Sequence, residues 1–239
     1  MTKQMMVYKN AVPVSSERHR DWSVQMGKNF SFARNLNAVP LLAAELLSVA
    51  STHTIVFSGD ENTVLPMAIL SLEQDKNDFV AEDGSWTGPY VPAFLRRYPF
   101  VFSRSEDGQS FTLCVDEEFE DFNVDGRGER LFDSEGKHTQ FLEGMLNFTR
   151  EYQALFQRTS VFCERLVKND LLEPATAQFK LPDGETRSLT GFQTISRDKL
   201  KALDPEILVE MVKTDELELC YTQIHSLNNL TPLAQKFAS

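Results

Sequence analysis

The chain has 239 residues, 24 basic and 35 acidic side chains, a formal charge of −11, and 41% hydrophobic and 10% aromatic residues. That is globular composition, and it excludes a disordered or fibrous chain. An acidic excess of this size suits neither nucleic-acid phosphates nor anionic lipid, both of which select a basic footprint, so no nucleic acid is expected among the partners.

In chain order, the first forty residues are polar and mixed, with Pro13 and Ser15-Ser16, and read as an extended lead-in. Leu41, Leu42, Leu46, Leu47 and Ala50 fall at helical spacing within Val39 to Ser51, and Pro40 is tolerated in a first turn. Ile55-Val56-Phe57 reads as a buried strand stopped by Ser58-Gly59-Asp60. Val64 to Leu72 is a second strand, which Pro66 assigns to an edge or a bulge. Asp78-Phe79-Val80 is a third, followed by a turn at Glu82-Asp83-Gly84. Val91 to Arg97 is a short helix ended by Pro99. Phe100 to Ser103 and Phe111 to Val115 are strands around the turn Glu106-Asp107-Gly108. An acidic loop, Asp116 to Glu129, then precedes a short strand Arg130-Leu131-Phe132.

From Thr139 to Val167 the apolar positions Phe141, Met145, Phe148, Tyr152, Leu155, Phe162 and Leu166 step by 4, 3, 4, 3, 7 and 4. That is a helix, or two with a bend near Thr159-Ser160. Ala177 to Leu181 and Thr186 to Leu189 flank Pro182-Asp183-Gly184 as a hairpin. Helices follow from Ser196, from Asp204-Pro205, and from a cap at Thr214-Asp215. The fold class is α+β, with a short-strand mixed or antiparallel sheet in the N-terminal part and long helices with a β-hairpin in the C-terminal part. One domain spans 1–239, with a seam near residue 137 between a strand-rich 10–137 and a helix-rich 138–239.

Cys114, Cys163 and Cys220 are odd in number, widely spaced and without a C-x-x-C pair. We expect buried free thiols in a reducing compartment, not disulfides or a zinc knuckle. No secretory h-region follows the start, and no run reaches the ~18 apolar residues of a membrane span. The expectation is a soluble, cytoplasmic protein.

Most chemical motifs fail. Asp121-Phe122-Asn123-Val124-Asp125-Gly126 matches the first half of an EF-hand loop, but position 12 is Phe132 where calcium needs a bidentate Glu, and position 8 is Gly128. We expect an acidic turn between strands and no metal or cofactor. His19-Arg20-Asp21 resembles half of an iron facial triad, without a second supporting His. It also resembles a kinase catalytic triplet, without the Asn five residues on, where Met26 stands. A surface segment before a strand or helix is the expectation. No nucleophile elbow or glycine-rich nucleotide loop occurs. Glu117, Glu118 and Glu120 read as a solvated acidic face.

The densest group of recognition residues runs from Trp86 to Phe100. Trp86, Tyr90 and Tyr98 join aromatic area to a polar handle, and Arg96 and Arg97 are able to clamp a carboxylate or phosphate. The competing reading makes Tyr98 and Phe100 core residues and pairs one arginine internally with the acidic stretch.

Tyr90 to Phe100, Y-V-P-A-F-L-R-R-Y-P-F, resembles the SapC family of bacterial proteins. Agreement continues in order through His19-Arg20-Asp21, Val39-Pro40-Leu41 with Glu45, Ile55-Val56-Phe57, Glu82-Asp83-Gly84-Ser85-Trp86, Leu113-Cys114-Val115-Asp116-Glu117, Leu131-Phe132-Asp133, Leu171-Leu172-Glu173-Pro174 and Leu189-Thr190-Gly191-Phe192. One departure is His53-Thr54, where the family pattern has an aromatic residue followed by Pro. The resemblance implies an association with surface-layer protein secretion. It also implies gene neighbours that are flavin-dependent halogenase-like, cupin-like or outer-membrane receptors. It carries no catalytic residues. A permease that shares the label is set aside, because this chain lacks a span. The leading expectation is a non-enzymatic accessory or adaptor protein for a protein or peptide partner, contacted through His19, Trp86, Tyr90, Arg96, Arg97 and Tyr98. The alternative is a small-molecule binder or enzyme working with halogenase-like or cupin-like partners, using His19, Tyr90, Arg96 and Tyr98. A component of surface-protein export is a third reading, from the family name alone. Eleven carboxylates and two arginines lie between Glu106 and Glu135, against 24 acids and 22 bases elsewhere, so the acidity is concentrated in one segment.

Overall fold

The structure is a computed structural model that describes residues 7–60, 63–104, 110–180 and 186–237. Its elements begin with β1 (Ala11–Pro13), α1 (Ser16–His19), β2 (Ser23–Val24), β3 (Ala38–Pro40), α2 (Leu46–Val49), β4 (Thr54–Ser58) and β5 (Leu65–Ile69). Next come α3 (Ala93–Arg96), β6 (Phe100–Arg104), β7 (Phe111–Asp116), β8 (Phe122–Asn123), β9 (Glu129–Arg130) and α4 (Gln140–Lys168). The chain ends with β10 (Leu172–Lys180), β11 (Thr186–Ile195), α5 (Arg197–Lys201), α6 (Pro205–Lys213), α7 (Glu216–Ser226) and α8 (Leu230–Phe237). Every strand pairing among the described residues is antiparallel, and the class is α+β. Among those residues no helix is long and apolar enough to cross a membrane. The turns expected at Glu106-Asp107-Gly108 and Pro182-Asp183-Gly184 lie outside the described residues.

Two compact units divide the chain, each assembled from separated segments. The first holds residues up to Ala33, Val80–Thr87 and Ala93–Ala154. It contains two three-stranded sheets, β1-β7-β6 and β8-β2-β9. The extended lead-in expected for the first forty residues is not what forms: β1 lies against β7 with Ala11 opposite Asp116, and β2 is the middle strand of the other sheet. Strands of two or three residues are too short to show a period-two pattern, so pairing with distant strands orders them. The Glu82-Asp83-Gly84 turn is present. Gly84 has φ +86°, and a Cβ there would sit 2.5 Å from Asn29 Oδ1, which leaves glycine as the fitting residue. The expected third strand reduces to a single bridge between Val80 and Trp86.

The second unit holds Arg34–Phe79, Gly88–Pro92 and the chain from Leu155 onward, with a five-stranded sheet ordered β10-β11-β4-β5-β3. β5 is an interior strand, which corrects the edge position read from Pro66. The Pro66 carbonyl accepts from Leu41 N–H at 2.8 Å, so its backbone faces the β3 side, where β3 has already ended at Pro40. The missing N–H therefore removes no bond to β4. The Val39–Ser51 stretch is a strand, then a 3-10 turn at Ala43–Glu45, then α2, not one helix. Helix α4 is a single element through Thr159 and Ser160, whose hydroxyls donate back to Leu155 and Phe156 carbonyls at 2.8 and 3.1 Å. Asp204 caps α6 by accepting from Glu206 N–H at 2.8 Å. Helix α8 carries no strong sequence signal. It is eight residues long, with Pro232 in its first turn, and it buries Leu233 against Val56, Met67, Ile69 and Phe192. His53 stacks on Phe79 at 4.2 Å and 21°.

Candidate functional site

The Tyr90–Phe100 motif separates its two arginines. Ala93, Phe94 and Leu95 are buried in α3, and Arg97 N–H donates to Ala93 O at 3.0 Å, closing the turn. Arg96 then faces solvent while Arg97, one residue on, is 1% exposed. The Arg97 guanidinium lies over three rings, with Cζ at 4.3 Å from Tyr152, 5.1 Å from Phe94 and 5.8 Å from Tyr8. Tyr8 donates to the Phe100 carbonyl at 2.7 Å, and burial drives its phenol well above the ordinary range. Arg96 has its Cζ 5.5 Å from the Phe148 ring.

Tyr98 reaches inward. Its hydroxyl donates to Asp116 Oδ2 at 3.1 Å, and burial, then the Asp116 charge, push its pKa far up. Asp116 is fully buried and accepts three further bonds, from the backbone N–H groups of Lys9 (2.8 Å), Asn10 (3.0 Å) and Glu118 (3.2 Å). Such donors offset the cost of burying a carboxylate. Sequence reasoning overlooked Asp116; its signal was the Leu113-Cys114-Val115-Asp116-Glu117 run.

Glu117 anchors a second cluster. The expected surface placement of His19-Arg20-Asp21 holds for Arg20 and Asp21 only, because His19 is fully buried. His19 Nε2 lies 3.1 Å from Glu117 Oε1, and Nδ1 lies 3.2 Å from both the N–H and the carbonyl of Ser15. Arg18 forks onto both Glu117 oxygens. Burial raises the Glu117 pKa, and the hydrogen bonds from Arg18 and His19 outweigh it, leaving the carboxyl below its ordinary range. Arg20 donates to the Ser134 carbonyl, and Arg130 donates to the Arg20 carbonyl at 3.3 Å. The triplet is a clasp that ties α1 to the acidic segment. The solvated face expected for Glu117, Glu118 and Glu120 is confined to Glu118 and Glu120, which are exposed.

A run of rings joins these clusters. Trp86 meets Phe30 (5.8 Å), Phe30 meets Phe32 (6.0 Å), and Phe32 stacks on Tyr98 (4.2 Å). Tyr98 meets Phe119 (5.3 Å), Phe119 meets Phe122 (5.7 Å), Phe122 meets Trp22 (5.0 Å), and Trp22 meets His19 edge-on (4.9 Å). The structure thus brings His19, Tyr98 and Trp86 onto one aromatic chain, with Arg97 beside it through Tyr8, whose ring is 5.2 Å from Tyr98. Tyr90 belongs to the second unit. There it donates to Glu45 Oε1 at 2.7 Å, while Glu45 Oε2 accepts from Leu42 N–H at 3.0 Å.

In the acidic turn, Asn123 Oδ1 accepts from Arg127 N–H at 2.9 Å and its Nδ2 donates to the Arg127 and Ser23 carbonyls at 2.9 and 3.3 Å. The side chain at the third position of the calcium-like run therefore folds onto protein. Gly128 has φ +85°, and a Cβ there would lie 2.2 Å from the Val24 carbonyl, so the strand pairing explains this glycine. Among the described residues no three His, Cys, Asp or Glu side chains converge as a metal set. All three cysteines are buried and free; burial raises the Cys114 thiol and pushes Cys163 and Cys220 up to about 12.

No curated protein matches the chain, and no solved structure matches it. A family model described as SapC matches residues 14–233. That span contains His19, Arg97, Asp116 and Glu117 themselves, and the chain belongs to the SapC family.

Proposed function

We propose that this chain is a non-enzymatic accessory or adaptor protein of the bacterial cytoplasm that binds a protein or peptide partner. The observation that carries the reading is the internal commitment of the reactive side chains in its most distinctive motifs. His19 is fully buried with both ring nitrogens in contact with protein, Asp116 accepts from four donors, and Arg97 is enclosed by Tyr8, Phe94 and Tyr152. These groups build a framework. Contact with a partner falls to residues of the first unit that reach solvent, Arg96 and the half-buried Trp86. Arg97, Tyr98 and His19 then act from inside, by fixing the segments that carry them. The exposed Glu118, Glu120, Asp125 and Glu129 add a negative field that orients a basic partner on approach.

The test starts with affinity capture from the native host, followed by titration of the purified partner. Joint Trp86→Ala and Arg96→Glu substitution should weaken binding at least tenfold, Arg96→Glu alone should weaken it with an unchanged melting temperature, and added salt should slow association. A partner that binds equally well after both substitutions overturns the assignment of this surface. Absence of any saturable partner overturns the adaptor reading.

A further inference from the structure

Strand β11 pairs with β10 along its length, but with β4 at a single position among the described residues, Gln193 opposite Phe57. Two residues earlier in β4, Ile55 turns the same backbone edge toward β11 and finds side chains of α7 there. Ile55 N–H donates to Ser226 Oγ at 3.0 Å, and its carbonyl accepts from Gln223 Nε2 at 2.9 Å. On the other side of the seam, Gln223 Oε1 accepts from Ile195 N–H at 3.1 Å, and the Thr194 hydroxyl lies 3.1 Å from Nε2 and 3.2 Å from Oε1. Gln223 is fully buried. One side-chain amide thus stands where strand-to-strand bonds would otherwise run.

The rest of the hairpin is arranged for separation. Ser196 N–H donates to the Leu171 carbonyl at 2.9 Å, so the chain enters and leaves the hairpin at one closed point. On the outer side of β10, Pro174 has no N–H to pair and the Leu172 carbonyl accepts from Lys199 Nζ at 3.3 Å, features that keep a further strand away.

We propose that the β10–β11 hairpin is a latched arm that swings from β4 as one unit about Leu171 and Ser196, with Gln223 as the latch. Opening leaves the β10–β11 ladder whole. It breaks one backbone pair and the amide bridge, and it parts Phe192 from Val56, Met67 and Ile69, which bares an apolar strip along the β4 edge. Such locally opening units are a recognised level of protein stability.

Residue-resolved amide exchange on the full chain tests this. In the wild-type chain, the Phe57, Gln193 and Ile195 amides at the seam should share one opening event, at least tenfold more frequent than that releasing the β4–β5 ladder. Gln223→Leu should raise their exchange at least tenfold further while β4–β5 rates change less than twofold. Uniform acceleration of all amides would make Gln223 a general stabiliser and overturn the latch. If the variant does not fold, the wild-type profile decides alone, because seam amides that exchange only with the β4–β5 ladder exclude a separate arm.

Discussion

Glu117→Gln isolates the charge in the His19 clasp. The amide keeps an oxygen for His19 Nε2 and removes the negative charge that Arg18 and His19 share. A hydrogen bond to an ionised acceptor contributes about 1.5–3 kcal/mol and a neutral one about 0.5–1.5, so the His19 contact loses about 1 kcal/mol. Arg18 adds little, because its side chain is 59% exposed and solvent screens the pair. Glu117 is covered by its partners, not deeply enclosed, which keeps the total near 1 kcal/mol, or a fall in Tm of about 2–4 °C for a chain of this size. The pH dependence has a fixed sign. The folded-state pKa is lowered from an ordinary value near 4.5, so the stabilisation is complete above that value and is lost as pH falls through the lower folded one. Urea unfolding of both chains should therefore show the full gap at pH 7 and at pH 6, and almost none once acid has protonated the carboxyl in the folded chain. A gap that persists unchanged into acid, or that is missing at pH 7, would refute the charged clasp.

The two glycines of the acidic turn should respond differently. Gly126→Ala meets open space at φ +77° and should lose about 1 kcal/mol, whereas Gly128→Ala meets the Val24 carbonyl and should lose about 3 kcal/mol or prevent folding; thermal melts compare them. Adjacent arginines should diverge as well: Arg97→Ala, which empties an aromatic cage, should lose about 3–5 kcal/mol, and Arg96→Ala should stay within about 0.5 kcal/mol, read by denaturant midpoints. With all three thiols buried, and Cys163 and Cys220 raised to about 12, a thiol reagent at pH 8 should leave the folded chain unmodified and titrate three groups after denaturation. Rapid labelling of the folded chain would contradict that burial.

Long periodic elements were readable from local pattern. The α4 steps of 4 and 3 and the Asp204-Pro205 start depend on residues within a few positions of one another, and both formed where the pattern placed them, whereas the hairpin strands expected at Ala177 to Leu181 and Thr186 to Leu189 run longer, over Leu172–Lys180 and Thr186–Ile195. Pro66 misled because a proline's effect depends on which neighbour its missing N–H would face, and that follows from where β3 stops. β1 and β2 were invisible for a related reason. Their pairing partners lie about a hundred residues away, and a two-residue strand has no period.

The candidate site shows the same limit in its charges. Asp116, Glu117, Glu118 and Glu120 are alike in sequence, four acids within a strongly negative stretch. Strand direction separates them. Asp116 ends β7 beside the backbone of Lys9 and Asn10, and Glu117 lies where β1 and α1 bring Asn10, Arg18 and His19, so both carboxylates are anchors inside the first unit. Glu118 and Glu120 lie past the strand and stay in water. Part of the net charge of −11 is therefore structural, satisfied by donors from the N-terminal segment, and only the remainder is displayed. An electrostatic attraction for a basic partner must come from that displayed part. Charge-neutral substitution of Glu118 and Glu120 should weaken such attraction without loosening the fold, while substitution of Asp116 should do the reverse.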